Sequence, residues 1–332
     1  MKILVVGVGS IGERHVRCFL NLPGVEIGIC DLNYELAVDI GKRYEILEIG
    51  KEMEDFDLKS FDGAVICTPA NTHIPIATKL VKEGLHLLIE KPLSTNVSGI
   101  SGLREIVNKR KCIISVGYVY RSDPVLSSMR DQLINGRFGE PKQIIGFAGQ
   151  NFPFYRPGFR ETYYVSKEQG GGAIHDAMTH LINAAEWIVG PVSRVIADSN
   201  KQALSHESEV EDTVHTITNH KNGVMGVFGL NQYQMPNECV ITVVCTEGTI
   251  RFERHNSRWI STSHPEEKWK EEMKVPQSPD DFFIRQAKNF IDSINGECRP
   301  FCSLDEAKQT LDVNLAILES SLSGFPVLIE NS

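Results

Sequence analysis

A glycine-rich turn close to the N-terminus is the first segment whose residue types and spacing could do chemistry. Residues 7–12, Gly-Val-Gly-Ser-Ile-Gly, follow the pattern G-x-G-x-x-G between a Val/Ile-rich run and a helical pattern. There Gly7 permits a tight turn, Gly9 leaves room for a pyrophosphate, and Gly12 lets a helix pack closely with its N-terminal amides facing the phosphates. A glycine-rich turn without a ligand is the alternative. The predicted contacts to a dinucleotide are Gly7, Gly9, Ser10, Ile11 and Gly12.

An acidic residue follows at the distance that this kind of turn requires. Asp31 stands 19 residues after Gly12, at the end of the second apolar run. Its carboxylate can accept hydrogen bonds from both ribose hydroxyls, whereas an adenosine 2′-phosphate would meet like charge. The next residues, Leu32 and Asn33, offer no cation to a phosphate. The predicted cofactor is therefore NAD rather than NADP.

Two further polar segments begin where predicted strands end. Residues 68–73, Thr-Pro-Ala-Asn-Thr-His, follow the strand that ends at Cys67, and residues 90–92, Glu-Lys-Pro, follow Ile89. Carboxyl ends of parallel strands line the ligand crevice of an open sheet, so Lys91 is placed to meet a substrate beside the nicotinamide. A solvated lysine explains Lys91 alone equally well. The predicted cofactor contacts in these segments are Thr68, Pro69, Asn71, His73, Glu90 and Lys91.

Alternating strands and helices must position these residues. An alternating βαβ order implies a parallel sheet covered on both faces, so the first third has an α/β fold with a nucleotide-binding topology. Val/Ile-rich runs predict strands at residues 3–6, 25–30, 63–67, 86–89 and 112–116, and amphipathic stretches predict helices near 12–21, 34–44, 74–83 and 97–109.

The pattern changes after Arg121. The turn pairs Asn222-Gly223 and Glu247-Gly248, together with the alternation over 240–244, indicate antiparallel strands. A helix follows the glycine run 170–172, and Ser303 with Glu306 three residues later predicts the start of another. We predict a first domain over 1–122 and an α+β domain over 123–332, with the last helix free to pack back on the first domain.

Composition excludes several classes of protein. The 332 residues are 41% hydrophobic and 23% charged, with a net charge of -9, which is typical of a globular protein and not of a nucleic-acid-binding one. No run reaches the roughly 18 apolar residues that span a bilayer, and no signal-peptide pattern opens the chain. The eight cysteines make no disulfide framework, because Cys18, Cys30, Cys67 and Cys112 fall inside apolar segments, where free thiols behave as small hydrophobic residues. We expect a cytoplasmic protein without a metal site.

The motifs resemble, in order, those of the Gfo/Idh/MocA oxidoreductases, which include glucose–fructose oxidoreductase and inositol 2-dehydrogenase. The resemblance implies a Rossmann domain with a doubly wound parallel sheet, then an α+β domain whose open, mostly antiparallel sheet builds a homodimer or homotetramer. It also implies NAD-dependent chemistry on a sugar or cyclitol. The matching segments are 7–12, 69–73, 90–92, 117–121 and 170–172, followed by Asp176 and His180.

Three residues carry the chemistry that this resemblance implies: Lys91, Asp176 and His180. Residues four apart share one helical face, so Asp176 can orient the His180 ring and support its protonated form. The expected reaction transfers hydride from a substrate carbon to nicotinamide C4 while His180 and Lys91 handle the hydroxyl proton. Which of the two accepts the proton first stays open, because coupled groups titrate as a pair. The alternative for His180 is a core histidine beside Leu181.

Other side chains are candidates for substrate contact. The segment 151–164 concentrates aromatic and basic residues that could stack on a sugar, or else pack on the core or at a subunit interface. His175 either lies at the rim of the pocket or caps the helix start. The predicted substrate contacts are Lys91, Arg121, Tyr164, His175, Asp176 and His180.

Two other functions fit the same fold. A sugar sensor or regulator would bind the dinucleotide without turnover, and its catalytic residues should be lost. An enzyme of the biliverdin reductase type would not need Asp176 and His180. Because Lys91, Asp176 and His180 are all present, we expect an oxidoreductase acting on CH–OH groups of a small polyol or sugar.

Overall fold

The structure, a computed structural model, describes residues 1–204 and 210–329. The chain divides into two compact units: Met1–Ser122 with Ser278–Lys308, and Asp123–Gln277 with Gln309–Ser332. The sequence-based division had instead assigned 278–308 to the second domain. That predicted domain, 123–332, also includes residues 205–209 and 330–332, which lie outside the described part of the chain.

The first unit contains a six-stranded parallel sheet. Its strand order is β3-β2-β1-β4-β5-β6, and every neighbouring pair is parallel. This confirms the predicted doubly wound sheet; the additional strand, β3, has only three residues and too little pattern to predict. The elements are β1 (Lys2–Val6), α1 (Ser10–Leu20), β2 (Glu26–Cys30), α2 (Tyr34–Tyr44), β3 (Glu48–Gly50), β4 (Gly63–Ile66), α3 (His73–Glu83), β5 (His86–Ile89), α4 (Ile100–Arg110) and β6 (Ile114–Val116).

The second unit contains a nine-stranded sheet, and buried and more exposed residues alternate along several of its strands. It confirms the predicted mostly antiparallel sheet: within the described residues, β7 with β10 is the one parallel pair. Asn222 and Gly223 form the turn between β9 and β10, with Gly223 at φ +87°. The elements before α8 are α5 (Pro124–Ile134), β7 (Pro141–Asn151), α6 (Phe152–Tyr155), α7 (Thr179–Val189), β8 (Val192–Asn200), β9 (Thr213–His220), β10 (Met225–Asn231), β11 (Tyr233–Cys245), β12 (Thr249–Glu253), β13 (Arg258–Thr262) and β14 (Lys270–Lys274).

The last part of the chain adds α8 (Pro279–Ile294), α9 (Leu304–Ser323) and β15 (Val327–Leu328). Helix α8 belongs to the first unit because its apolar face, with Ala287 and Phe290, is buried in the same core as Ile3 and Phe19. Ser303 and Glu306 form the predicted capping box at the start of α9: the Ser303 N–H and hydroxyl donate to Glu306 Oε2, and the Glu306 N–H donates to Ser303 Oγ. Among the helices of the described ranges, none combines the length and the apolar composition that crossing a membrane requires.

Candidate active site

The glycine turn has the geometry that a pyrophosphate needs. Gly7 has φ +85°, and a Cβ on Gly12 would lie 1.9 Å from the Gly7 carbonyl oxygen, so neither position accepts a side chain without strain. At Gly9, in contrast, an added Cβ would meet no atom within 4 Å, which leaves open space at the N-terminus of α1. An anion in that space faces the unpaired amides of the first helical turn. The turn therefore fits a dinucleotide.

Asp31 is held against this turn by the main chain. Its Oδ2 accepts a hydrogen bond from the Val8 N–H at 2.8 Å, and its Oδ1 accepts one from the Asn33 N–H at 2.8 Å. A carboxylate has about four lone-pair positions, so acceptor capacity remains for ribose hydroxyls. The contact with Val8 was not apparent from the sequence, since it joins the ends of two neighbouring strands.

His73, a predicted cofactor contact, is instead used to join two loops. Its ring is 1% exposed, with Nε2 2.8 Å from the Thr68 carbonyl oxygen and Nδ1 3.0 Å from that of Pro92. The side chain thus ties the segment after β4 to the segment after β5. Burial lowers the pKa of His73, against the opposing effect of these carbonyls. These contacts give His73 a structural role in joining the two loops.

Asn71 presents an acceptor at the carboxyl end of β4. Its buried Oδ1 has no hydrogen-bond partner among residues 1–204 and 210–329. A buried acceptor without a partner is costly, and a bound ligand with a hydroxyl or amide N–H would satisfy it. Thr68, whose hydroxyl lies 2.7 Å from that of Thr72, and Pro69 complete this loop.

Glu90 lies beneath the surface of the site. The carboxylate is 5% exposed; His15 Nε2 donates to Oε1 at 2.7 Å and the Lys91 N–H donates to Oε2 at 3.0 Å. Burial alone would raise the pKa of Glu90, but the hydrogen bond from His15 and the charge of Lys91 hold it below its usual range. His15 had not been selected from the sequence, although it lies three residues after Gly12, on the inward face of the same helix.

Arg121, a predicted substrate contact, is buried in the first unit and contacts a loop and a helix there. It is 3% exposed; its guanidinium donates to the Phe301 carbonyl oxygen at 2.9 Å and pairs with Glu306. This carboxylate also caps α9, so Arg121 anchors the start of that helix. A spacing argument does not reveal the pairing, because 185 residues separate the two partners.

In the second unit, a glycine run leads into an unusual helical turn. Gly172 has φ +91°, and a Cβ there would lie 2.6 Å from Glu211 Oε1, which accepts the Ile174 N–H at 2.8 Å. Residues Ile174–Met178 then form a π-helical turn that continues into α7. The sequence had predicted an ordinary α-helix here. Single π turns inside helices are frequent at functional sites.

In this turn Asp176 is more exposed than the preceding residue, His175. Asp176 and His180 are both half-buried, whereas His175 is 4% exposed and faces the interior. The Tyr163 hydroxyl donates a hydrogen bond to Asp176 Oδ1 at 2.9 Å. A carboxylate held by a phenol and placed near the start of a helix is suited to orient a histidine that exchanges protons.

Tyr164, the tyrosine predicted to touch substrate, belongs to a core cluster. Its ring lies 4.3 Å from that of Phe152 and 5.9 Å from that of Phe159, and burial raises the pKa of its hydroxyl. The preceding residue, Tyr163, is 40% exposed and supplies the polar contact. Composition does not distinguish two adjacent tyrosines; only the direction of each side chain does.

Comparisons with known proteins agree with this architecture. The profile described as an oxidoreductase family with an NAD-binding Rossmann fold matches residues 1–118, and the Gfo/Idh/MocA C-terminal domain matches residues 126–251. The rhizopine catabolism protein MocA of Rhizobium meliloti is 27% identical over 265 residues, covering 78% of this chain and 79% of that protein. The myo-inositol 2-dehydrogenase of Thermotoga maritima is 25% identical, covering 68% of this chain and 67% of that protein.

Solved structures share the fold over the whole length. A levoglucosan dehydrogenase in complex with NADH and levoglucosan superimposes with a TM-score of 0.91 at 19% identity, covering 100% of both chains. Because both its N-terminal Rossmann unit and its C-terminal domain match, this chain belongs to the Gfo/Idh/MocA family of NAD-binding oxidoreductases.

Proposed function

We propose that the protein is an NAD-dependent dehydrogenase that oxidises a ring hydroxyl of a sugar, sugar derivative or cyclitol, or reduces the corresponding ketone. Relatives named for inositol and levoglucosan support the substrate class. A glucose-6-phosphate 3-dehydrogenase of Bacillus subtilis, 21% identical over 76% of this chain, adds a phosphorylated sugar to that class.

One observation carries the proposal. Strands β1, β4 and β5 are neighbours in the first sheet, so their carboxyl ends share one edge. The glycine turn follows β1, the Asn71 loop follows β4, and Lys91 follows β5. A dinucleotide bound at the turn therefore runs along the edge that carries Lys91. When bound, NAD supplies the acceptor for the substrate hydride, at C4 of its nicotinamide ring.

Different residues at this edge of the sheet bind different parts of the dinucleotide. Gly9 and the amides that open α1 hold the pyrophosphate, and Asp31 accepts the adenosine ribose hydroxyls. Asn71 Oδ1 accepts a hydrogen bond from the cofactor, while His73 and Glu90 hold the surrounding loops. Asp31 favours NAD over NADP because a 2′-phosphate would approach a carboxylate.

The second unit supplies the proton acceptor. His180 takes the proton of the reacting hydroxyl, and Asp176 orients the imidazole and stabilises its protonated form. Tyr163 holds the Asp176 carboxylate in place. The Lys91 ammonium donates a hydrogen bond to the same substrate oxygen as it gains alkoxide character, a contribution of a few kcal/mol, about 2–4, in a site from which water is excluded.

A substrate screen tests this function. The full chain is incubated with NAD and, separately, with myo-inositol, levoglucosan, glucose 6-phosphate and UDP-N-acetylglucosamine, and NADH formation is followed by absorbance. We expect turnover with at least one polyol or sugar, and much less with NADP. Tight NADH binding with no turnover across a wide sugar panel would indicate a sensor; failure to bind NADH would contradict the proposal.

We also propose that the second sheet pairs two copies of the chain. Ile145, Val227 and Ile217 lie side by side in register on β7, β10 and β9, on the face of the sheet where they are 38–49% exposed. Such an apolar row is typical of a homodimer interface. Sedimentation of a Val227→Lys variant should show a smaller species than wild type, whereas Leu47→Lys, at a 95% exposed position of the first unit, should not.

A further inference from the structure

Helix α1 and the segment that follows β5, which contains Lys91, are joined by a buried polar contact. The imidazole of His15 is fully buried; its ring centroid lies 5.4 Å from that of Phe283 in an edge-on arrangement and 6.3 Å from that of Phe19. Its Nδ1 has no partner within the described ranges, so the contact of Nε2 with Glu90 accounts for the ring's hydrogen bonding there. This packing leaves the ring little freedom to turn.

Glu90 is equally confined. One oxygen accepts from His15 and the other from the main-chain N–H of Lys91. A Cβ added at Gly117 would lie 2.9 Å from Glu90 Oε1, so a side chain at position 117 would crowd the carboxylate. Removing one partner of a buried carboxylate is strongly destabilising, because it leaves an uncompensated charge inside the protein. Loss of the contact with His15 should therefore destabilise the folded protein.

The placement of this pair suggests a use beyond stability. His15 is on the second turn of the helix whose first turn faces the pyrophosphate, and Glu90 directly precedes Lys91. The chain of contacts runs from α1 through His15 and Glu90 to the Lys91 main chain, entirely within the first unit. The dinucleotide turn and the main chain at Lys91 are thus joined through one pair of buried side chains.

We propose that His15 and Glu90 are positioning residues, which hold Lys91 at a fixed place relative to the dinucleotide turn. The inference rests on the proposed function, because it assigns Lys91 to the reacting centre. In this role neither residue needs to touch substrate or cofactor. A misplacement of a catalytic group by about 1 Å costs on the order of a hundredfold in rate.

Three variants and a matched control test the proposal. His15→Leu removes the donor, Glu90→Gln removes the charge, and His15→Gln restores a donor at the same number of bonds from Cα. The control is His220, a histidine of the second unit that is 2% exposed, with Nδ1 2.6 Å from the Gly190 carbonyl oxygen. His220→Leu and His220→Gln report what loss of a buried histidine does to stability alone.

Each variant is examined by thermal unfolding, by NADH fluorescence titration, and by kcat and KM with the best substrate of the screen. Labelling of Lys91 with trinitrobenzenesulfonate, with and without NADH, adds a readout that needs no substrate. For His15→Leu and Glu90→Gln we expect an NADH Kd within about fivefold of wild type and a kcat about 10- to 100-fold lower. We also expect NADH to protect Lys91 less. His15→Gln should have a kcat closer to wild type than that of His15→Leu, and the His220 variants should lower only the melting temperature.

The proposal is overturned if kcat and Lys91 protection stay at wild-type values in folded Glu90→Gln, or if the His220 variants lower kcat as much as those at His15. If His15→Leu does not fold, the Glu90→Gln and His15→Gln measurements decide. Wild-type protein that binds NADH without protecting Lys91 would instead contradict the proposed function, so the two failures are separable.

Discussion

The proposed preference for NAD gives the sharpest quantitative prediction, because the proposal assigns it to one carboxylate. Asp31→Ser removes a negative charge from the end of β2, and Asp31→Asn removes the same charge but keeps the side-chain shape and one acceptor. A unit charge about 5 Å from a phosphate charge is worth about 3 kcal/mol at an effective dielectric constant of 20. That energy corresponds to about a hundredfold in relative affinity.

The structure adds a second effect that must be separated from the first. Asp31 also braces the turn through Val8 and Asn33, and each hydrogen bond to a charged group contributes about 1.5–3 kcal/mol. Losing both in Asp31→Ser should weaken binding of NADH and NADPH alike, by tenfold or more. Asp31→Asn retains part of the brace, so its NADH affinity should fall less.

Fluorescence titration with NADH and NADPH measures both effects without a substrate. The ratio of the two Kd values should move toward NADPH by about a hundredfold in both variants, and less at high salt because screening weakens the charge repulsion. If the ratio stays constant while both Kd values rise together, Asp31 acts only by holding the glycine turn in place. The charge argument would then be wrong.

Three further predictions concern other groups. Lys91→Ala should lower kcat at least a hundredfold while the NADH Kd stays within about threefold, and equal turnover would remove Lys91 from the mechanism. Tyr163→Phe should lower kcat about five- to tenfold by removing one hydrogen bond that holds Asp176, whereas Tyr233→Phe, at a comparably exposed phenol, should not. Burial raises the pKa of Glu211, so its charged form is the less stable one in the folded protein. Wild-type stability should therefore fall relative to Glu211→Gln as pH rises from about 4.5 through the raised pKa, and parallel melting curves across this range would refute the assignment.

Local patterns explain which parts of the fold were predictable. The strands from Lys2–Val6 to His86–Ile89 are short Val/Ile-rich runs between turn signals, and the boundaries predicted for Tyr34–Tyr44 and His86–Ile89 agree with the structure. The capping box at Ser303 is likewise a three-residue pattern. Such signals depend on neighbours in sequence, so no tertiary information is needed to see them.

The parts that were missed depend on contacts between distant residues. The His15–Glu90 pair joins positions 75 residues apart, and the Arg121–Glu306 pair joins positions 185 apart. The π turn after Gly172 forms where the Glu211 carboxylate reaches back to the Ile174 N–H, 37 residues earlier in the chain. Helical periodicity alone predicts an ordinary helix there.

By itself, the amino-acid sequence determined the dinucleotide turn, the acidic residue that follows it, the two kinds of sheet and the family, because each is written in local spacing and residue type. Tertiary structure decided which partners the polar side chains have: Tyr163 rather than Tyr164 meets Asp176, and Arg121 and His73 contact carbonyl oxygens of other loops. The physical reason is burial. A polar group placed inside must find a partner, and the identity of that partner depends on chain segments that meet only after folding.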